Sequence, residues 1–203
     1  PDFITRVANE TYLTKKTVLE IFKRMNENKK ESIFYNPEGW IAEFLSQLRV
    51  TVSDHIVENI DFEIINDKEV YDIEELFPEM VKHPQRELIE AGKAGLYSMI
   101  QVDSDVERGF IKDQVIPDSE EDNTVLYFKF PSKFKIQLPK IIGNYNPDWA
   151  IIRKSQDGTL KLELVRETKG GVDLERLRFP KEKRKILCAE KYFRKLGIDY
   201  KVV

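Results

Sequence analysis

The sequence is poor in the side chains that bind soft metals or form cross-links: of 203 residues, one is cysteine, Cys188, and two are histidine, His55 and His83. A single cysteine excludes a disulfide within the chain and fits a reducing cytoplasm. The two histidines lack metal-ligand spacing and no Cys-x-x-Cys pair occurs, so metal-finger chemistry is excluded, as is a His-Asn-His cluster. No Gly-x-x-x-x-Gly-Lys-Ser/Thr loop is present, which removes ATP binding by the usual phosphate loop. Neither a bilayer-spanning apolar stretch nor a signal peptide with a basic start and apolar middle is found, so no membrane partner is expected. The chain begins at Pro1 without an initiator methionine. The expectation is a cytoplasmic fragment of something longer.

What is present is enough to fold. Hydrophobic residues make up 41% of the chain and aromatics 11%, sufficient for a buried core in one or two domains. Net charge is only -3, but it is unevenly placed: residues 1–123 hold 14 Lys/Arg against 27 Asp/Glu, and residues 124–203 hold 19 against 9. A basic C-terminal part is what a polyanion partner requires, although basic helices also serve as solvated faces.

Apolar spacing divides the chain in the same way. Val18, Leu19, Phe22 and Met25 after Thr14, then Trp40, Ile41, Phe44, Leu45 and Leu48 after Asn36-Pro37, predict capped helices. The first of these has the rhythm of a helix-turn-helix second helix, with Lys15 and Lys16 towards a groove, but core packing explains the same residues. A β-like run at 60–65 and an acidic stretch at 67–79, loop with a short helix, follow. From Ser104 the pattern becomes helix, three strands, helix, strand. Ser104 with Glu107 has capping-box spacing, Pro117–Asn123 reads as an acidic loop, and strands are predicted at 125–130, 148–154 and 160–169. Residues 181–196 form a basic amphipathic helix with Ile186, Leu187, Ala189, Tyr192, Phe193 and Leu196 inward. Gly197 ends it before a closing strand at 200–203.

The chemistry gathers at the second hairpin. With Asp157-Gly158 as a two-residue turn, paired positions sum to 315 and Asp148 lies opposite Glu167. A four-residue loop would leave the two diagonal on the same face. Glu167 and Lys169 share a face by alternation, and directly opposed residues have Cβ atoms roughly 4.5–5.5 Å apart. Two carboxylates that close repel unless a cation lies between them, and oxygen-only ligands favour Mg²⁺, with Mn²⁺ able to substitute. Such an ion lowers the pKa of a water and stabilises charge on a phosphate oxygen. Lys169 is placed to orient that water. Leu160, Leu162 and Leu164 on the other face, with Trp149 and Ile151 across from them, form the expected core. Taken singly, an Asp after a Pro is an ordinary turn residue and Glu-x-Lys an ordinary solvated stripe. It is their joint placement that points to chemistry.

Gly143-Asn144-Tyr145-Asn146-Pro147-Asp148-Trp149-Ala150, followed by Val165-Arg166-Glu167-Thr168-Lys169-Gly170, resembles the endonuclease domain at the C-terminus of the Res subunit of type III restriction enzymes. Lys185-Ile186 with Cys188-Ala189, and Val106-Glu107-Arg108, resemble the same region. The likeness is specific over residues 104–203 and looser over 1–100, which resemble the segment joining motor to nuclease. It implies Asp148 and Glu167 as Mg²⁺ ligands, the Thr168 backbone carbonyl as a further one, and Lys169 as the catalytic lysine. It also implies double-stranded DNA as substrate, an ATP-driven motor in the parent Res subunit outside this chain, and a Mod methyltransferase partner. Glu107 is a possible auxiliary acid, but its spacing from Ser104 also gives it a cap to make. Cys188 matches the family pattern and reads as a packing residue.

These readings converge on an α/β chain with a PD-(D/E)XK, restriction-endonuclease-like core (αβββαβ) over 101–203, preceded by a mainly helical linker domain over 1–100. The reaction expected is Mg²⁺-dependent hydrolysis of DNA phosphodiesters, with Lys181, Arg184 and Lys185 among the residues that grip phosphates. The alternatives are a repair or recombination nuclease of the same superfold or a DNA-binding module without activity, and a helical adaptor docking other subunits through residues 1–100 is compatible with the main reading.

Overall fold

The structure is a computed structural model that describes residues 2–64, 72–77, 87–166 and 180–203, with backbone alone at 73, 164 and 166. The chain divides into two units whose described residues lie within 1–60 with 138–143, and within 61–137 with 144–203. The first unit is helical: α1 (Phe3–Thr11), α2 (Lys15–Arg24), α3 (Glu27–Glu31), a 3₁₀ turn (Ser32–Phe34) and α4 (Pro37–Asn59). Each start is set by a short polar side chain. Thr14 accepts from the Thr17 N–H at 3.1 Å and Asn36 from the Gly39 N–H at 3.1 Å, with Pro37 in the first turn, where its missing N–H costs nothing. The apolar stripes of α1, α2 and α4 then close on Val7, Ala8, Val18, Ile41, Phe44, Leu45 and Leu48. Trp40 stacks on Phe44 at 5.0 Å. Val18 of α2 is buried in this core, while Lys15 and Lys16 are exposed.

The β-like run at 60–65 is not a strand over its described part, 60–64. Ile60 instead closes α4 through its N–H to the Ile56 carbonyl, and Phe62 packs edge-on against Tyr192 at 5.2 Å. Alternation alone does not make a strand, because its N–H and C=O groups need a ladder partner.

The second unit holds α5 (Ile73–Leu76), β1 (Glu87–Glu90), β2 (Met99–Val102), α6 (Asp105–Phe110), a π turn (Ile111–Val115), α7 (Ile116–Glu120), β3 (Thr124–Lys129), β4 (Trp149–Lys154), β5 (Leu160–Arg166), α8 (Pro180–Lys195) and β6 (Asp199–Val202). β1 and β2 pair with each other. The second sheet has the order β3-β4-β5-β6, antiparallel at its first two junctions and parallel at the last, where α8 makes the crossover. From Ser104 onward the element order is thus helix, three strands, helix, strand. The expected acidic loop is in part helical: Pro117 to Glu120 belong to α7. The π turn breaks the α hydrogen-bond register just before Pro117, which therefore sits in a first helical turn, where a proline is tolerated.

The largest correction concerns register. The β4–β5 pairs run from Trp149↔Val165 to Lys154↔Leu160 and sum to 314, not 315. The Ser155 N–H bonds to the Thr159 carbonyl at 2.8 Å, so the loop is three residues, Gln156-Asp157-Gly158, with Gly158 left-handed at φ 82°. A type I turn followed by a left-handed glycine is the standard three-residue hairpin loop. One residue of slip exchanges the faces. Trp149 and Ile151 are fully buried opposite Val165 and Glu163, whereas Leu160 and Leu162 are 62% and 39% exposed. The core lies on the Trp149 face and includes Ile89, Ile100, Val102, Phe110, Ile111, Val115, Tyr127 and Val165. Tyr127 sends its hydroxyl to the Ala91 carbonyl at 2.6 Å, and burial raises its pKa to about 12.

The loop glycine gives a direct test. No atom lies within 4 Å of a Cβ added at Gly158, so only the backbone conformation penalises a substitution. Gly158→Ala is expected to cost about 1 kcal/mol in urea unfolding with an unchanged m-value, and Gly158→Asn less, since asparagine tolerates the left-handed region. An alanine variant as stable as wild type would contradict the assigned loop.

Candidate active site

Asp148 stands at the entry to β4, with its backbone fixed on both sides. Its N–H donates to the Val165 carbonyl at 3.0 Å and its carbonyl accepts from the Phe130 N–H at 2.9 Å. The chain leading in is held as well: Tyr145 exchanges two backbone bonds with Ile136, at 2.7 and 3.0 Å, and its hydroxyl meets that of Tyr200 at 2.6 Å. Pro147 is buried and its ring fixes φ just before the half-buried Asp148. A carboxylate is therefore presented at a defined place at the end of the sheet. The bond from Asp148 to Val165 pairs positions summing to 313, one short of the ladder, so strict alternation does not extend through this residue.

Glu107 lies on the same sheet's core side and is 3% exposed. Its cap role is realised: Ser104 Oγ accepts from the Glu107 N–H at 3.0 Å, and Glu107 Oε2 accepts from the Asp103 N–H at 2.6 Å. The same carboxylate oxygen takes Lys129 Nζ at 2.7 Å, and that ammonium also reaches Asp103 Oδ2 at 2.7 Å. Lys129 pairs with Trp149 across β3 and β4, and its Nζ lies 5.3 Å from the indole centroid. Glu107 is thus one lysine side chain away from the strand position adjoining Asp148. Sequence reasoning missed Lys129, although a lone lysine at the end of an apolar strand, Val125 to Phe130, was the signal it offered.

The remaining predicted residues divide into two groups. Glu167, Thr168 and Lys169 lie outside the described residues. Lys181, Arg184 and Lys185 are on α8, with Lys181 exposed and the other two half-buried. The buried side of α8 is Ile186, Cys188, Ala189 and Phe193, while Leu196, expected inward, falls past the helix end and is 40% exposed. Burial raises the Cys188 thiol pKa, which leaves it an inert packing group.

Sequence reasoning also missed a polar network along β3, β4, β5 and β6. Asp118 accepts from Arg153 and from Thr124, Arg153 Nε lies 3.6 Å from Glu163 Oε1, and Lys201 Nζ lies 2.6 Å from Glu163 Oε2. Glu163 is buried, so these cations stabilise a charge that an apolar neighbourhood would not hold. Only the three-residue loop brings Glu163 and Arg153 to one face.

The Glu107–Lys129 pair makes a quantitative prediction. Lys129→Met leaves a buried carboxylate facing Asp103 without its cation and is expected to cost about 3 kcal/mol. With Glu107→Gln added, the loss should fall well below the sum of the two single losses when a double-mutant cycle is read by urea unfolding. Additive losses would contradict the coupling.

Residues 93–203 match the model of a family described as an endonuclease domain. No curated protein and no solved structure matches the chain. The match spans more than half of the sequence and takes in β2, α6, the whole four-stranded sheet and Asp148, and so the chain belongs to this restriction-type endonuclease-domain family, nucleases with DNA as substrate.

Proposed function

We propose that residues 101–203 form a Mg²⁺-dependent DNA endonuclease of the PD-(D/E)XK type, the cleavage module of a type III restriction enzyme Res subunit, and that residues 1–100 link it to the motor. The observation that carries this reading is Asp148, held by its backbone between β3 and β5 inside the matched region. The order helix, three antiparallel strands, helix, parallel strand supports it. So does the resemblance of the stretch around Asp148 and of Val165 to Gly170.

The donor set suits a hard divalent cation. Asp148, Glu167 and the Thr168 backbone carbonyl offer oxygen alone, which Mg²⁺ prefers and zinc does not. Among the described residues no three acidic, histidine or cysteine side chains gather as an ion site, and the proposed ligand set takes Asp148 together with Glu167 and Thr168. The ion supplies water activation and charge stabilisation at the phosphate when bound. Lys169, a cation without a lone pair to give a metal, orients the attacking water and meets the charge that develops on the phosphate oxygens. Glu107 holds the start of α6 and, through Lys129, the wall beside the site. In the parent complex ATP is used by the motor and the Mod subunit reads the sequence. A cytoplasmic setting follows from that assembly.

Two measurements bear on this reading. In the parent complex, Asp148→Asn should lose metal affinity and cleavage together, whereas Lys169→Ala should abolish cleavage yet keep or slightly tighten Mn²⁺ binding, because a nearby positive charge is removed. Calorimetric Mn²⁺ titration beside a plasmid cleavage assay separates the two. A Lys169→Ala complex that cleaves like wild type would overturn the assignment. On the binding side, replacing Lys181, Arg184 and Lys185 by glutamine should flatten the dependence of log K on log salt by about 2.7, at roughly 0.9 for each phosphate no longer neutralised. An unchanged slope would remove α8 from the DNA-binding surface.

A further inference from the structure

The segment that leaves β3 runs beside Asp148 and helps to hold its backbone, but its lysines have no part in the site as described above. Its sequence, Phe130-Pro131-Ser132-Lys133-Phe134-Lys135-Ile136, interleaves lysines with aromatic and apolar residues. The Phe134 N–H bonds to the Pro131 carbonyl at 3.0 Å, closing a tight turn with Ser132 and Lys133 at its tip. That turn folds Phe134 back onto Phe130, and the two rings stack at 4.5 Å with planes 21° apart. Phe130 packs in turn on Phe128 at 5.3 Å, and Phe128 on Phe77 at 4.9 Å. The turn is therefore buttressed from beneath. Ser132, Lys133 and Lys135 are all exposed on it.

Its placement is fixed to the site at both ends. The Phe130 N–H donates to the Asp148 carbonyl at 2.9 Å, and Ile136 pairs with Tyr145, three residues before Asp148. Three residues span at most roughly 10 Å of chain, so the Lys133 Cα lies within that distance of the Phe130 Cα. Lys133 Nζ lies 3.9 Å from Glu75 Oε1, with both side chains about 70% exposed. Such a pair contributes little and gives way to a stronger anion.

We propose that the 131–135 turn is a second phosphate clamp, in which Lys133 and Lys135 hold the DNA backbone next to the bond presented to Asp148. This rests on the reading that the chain cuts DNA at Asp148. The clamp is distinct from α8 in sequence. Phosphate contacts fix the register of a duplex on a protein, and a rigid turn bonded to the Asp148 strand fixes that register relative to the carboxylate. The lysines supply the charge, while the stacked phenylalanines keep the turn from yielding when the backbone is gripped.

The test uses the full chain and a fluorescent 30-base-pair duplex titrated at a series of salt concentrations. Lys133→Gln with Lys135→Gln should weaken binding and flatten the dependence of log K on log salt by about 1.8, for two phosphates at roughly 0.9 each. Lys133→Arg with Lys135→Arg should restore the wild-type slope, which a misfolded surface would not do. A glutamine variant with wild-type affinity and slope overturns the clamp and leaves DNA binding by α8 standing. A wild-type chain that does not bind the duplex at any salt overturns both the clamp and the DNA reading on which it rests.

Discussion

β4 is hydrogen-bonded along both edges, and its register against β5 governs most of what the second unit does. Trp149 pairs with Lys129 on one side and with Val165 on the other. Through the first pair Lys129 comes over the indole ring and meets Glu107, and the residue before Trp149 is Asp148, tied to Phe130 and Val165. Moving this strand by one residue would turn Trp149 to solvent and separate all of these groups. Trp149 contributes its large apolar area although its Nε1 has no hydrogen-bond partner among the described residues. An unmet donor of this kind costs about 1–3 kcal/mol, which burial of an indole ring and a cation at its face offset.

What was legible in the sequence is what local spacing decides. Thr14, Asn36 and Ser104 start helices because each cap involves residues three apart. Gly197 ends α8 because a left-handed residue is required there. The register of β4 against β5 was not legible, since it depends on whether the loop holds two residues or three, and Asp157-Gly158 fits both. From that one choice follow the misplaced leucine face and the unseen Arg153–Glu163–Lys201 network. The run at 60–65 failed for another reason, because a strand needs a partner that its own sequence does not name. For the site, Asp148 stood out through its expected place across a hairpin from Glu167 and Lys169 and through the resemblance of the stretch around it, whereas Lys129 acts only through contacts made across the sheet.

Charge is distributed in keeping with an endonuclease domain. The excess of Asp and Glu lies in residues 1–123 and the excess of Lys and Arg in residues 124–203, which contain β3 to β6 and α8. In the second part Glu163 is engaged with Lys201 and Glu190 with Arg194. The exposed lysines of the 131–135 turn and of α8 face solvent, where a polyanion can reach them. Phosphate binding from two elements of the unit that presents Asp148 would align a duplex without reading its sequence.

The divalent ion we propose sits at Asp148 and takes its other ligands from the segment following β5. Iron-directed cleavage tests it without requiring the chain to be active alone: Fe²⁺ with ascorbate and peroxide cuts a polypeptide beside the bound ion. Cuts are expected near Asp148 and near residues 167–169, both suppressed by excess Mg²⁺ and absent from Asp148→Asn. Cuts confined to other positions, or a pattern unchanged in Asp148→Asn, would contradict it.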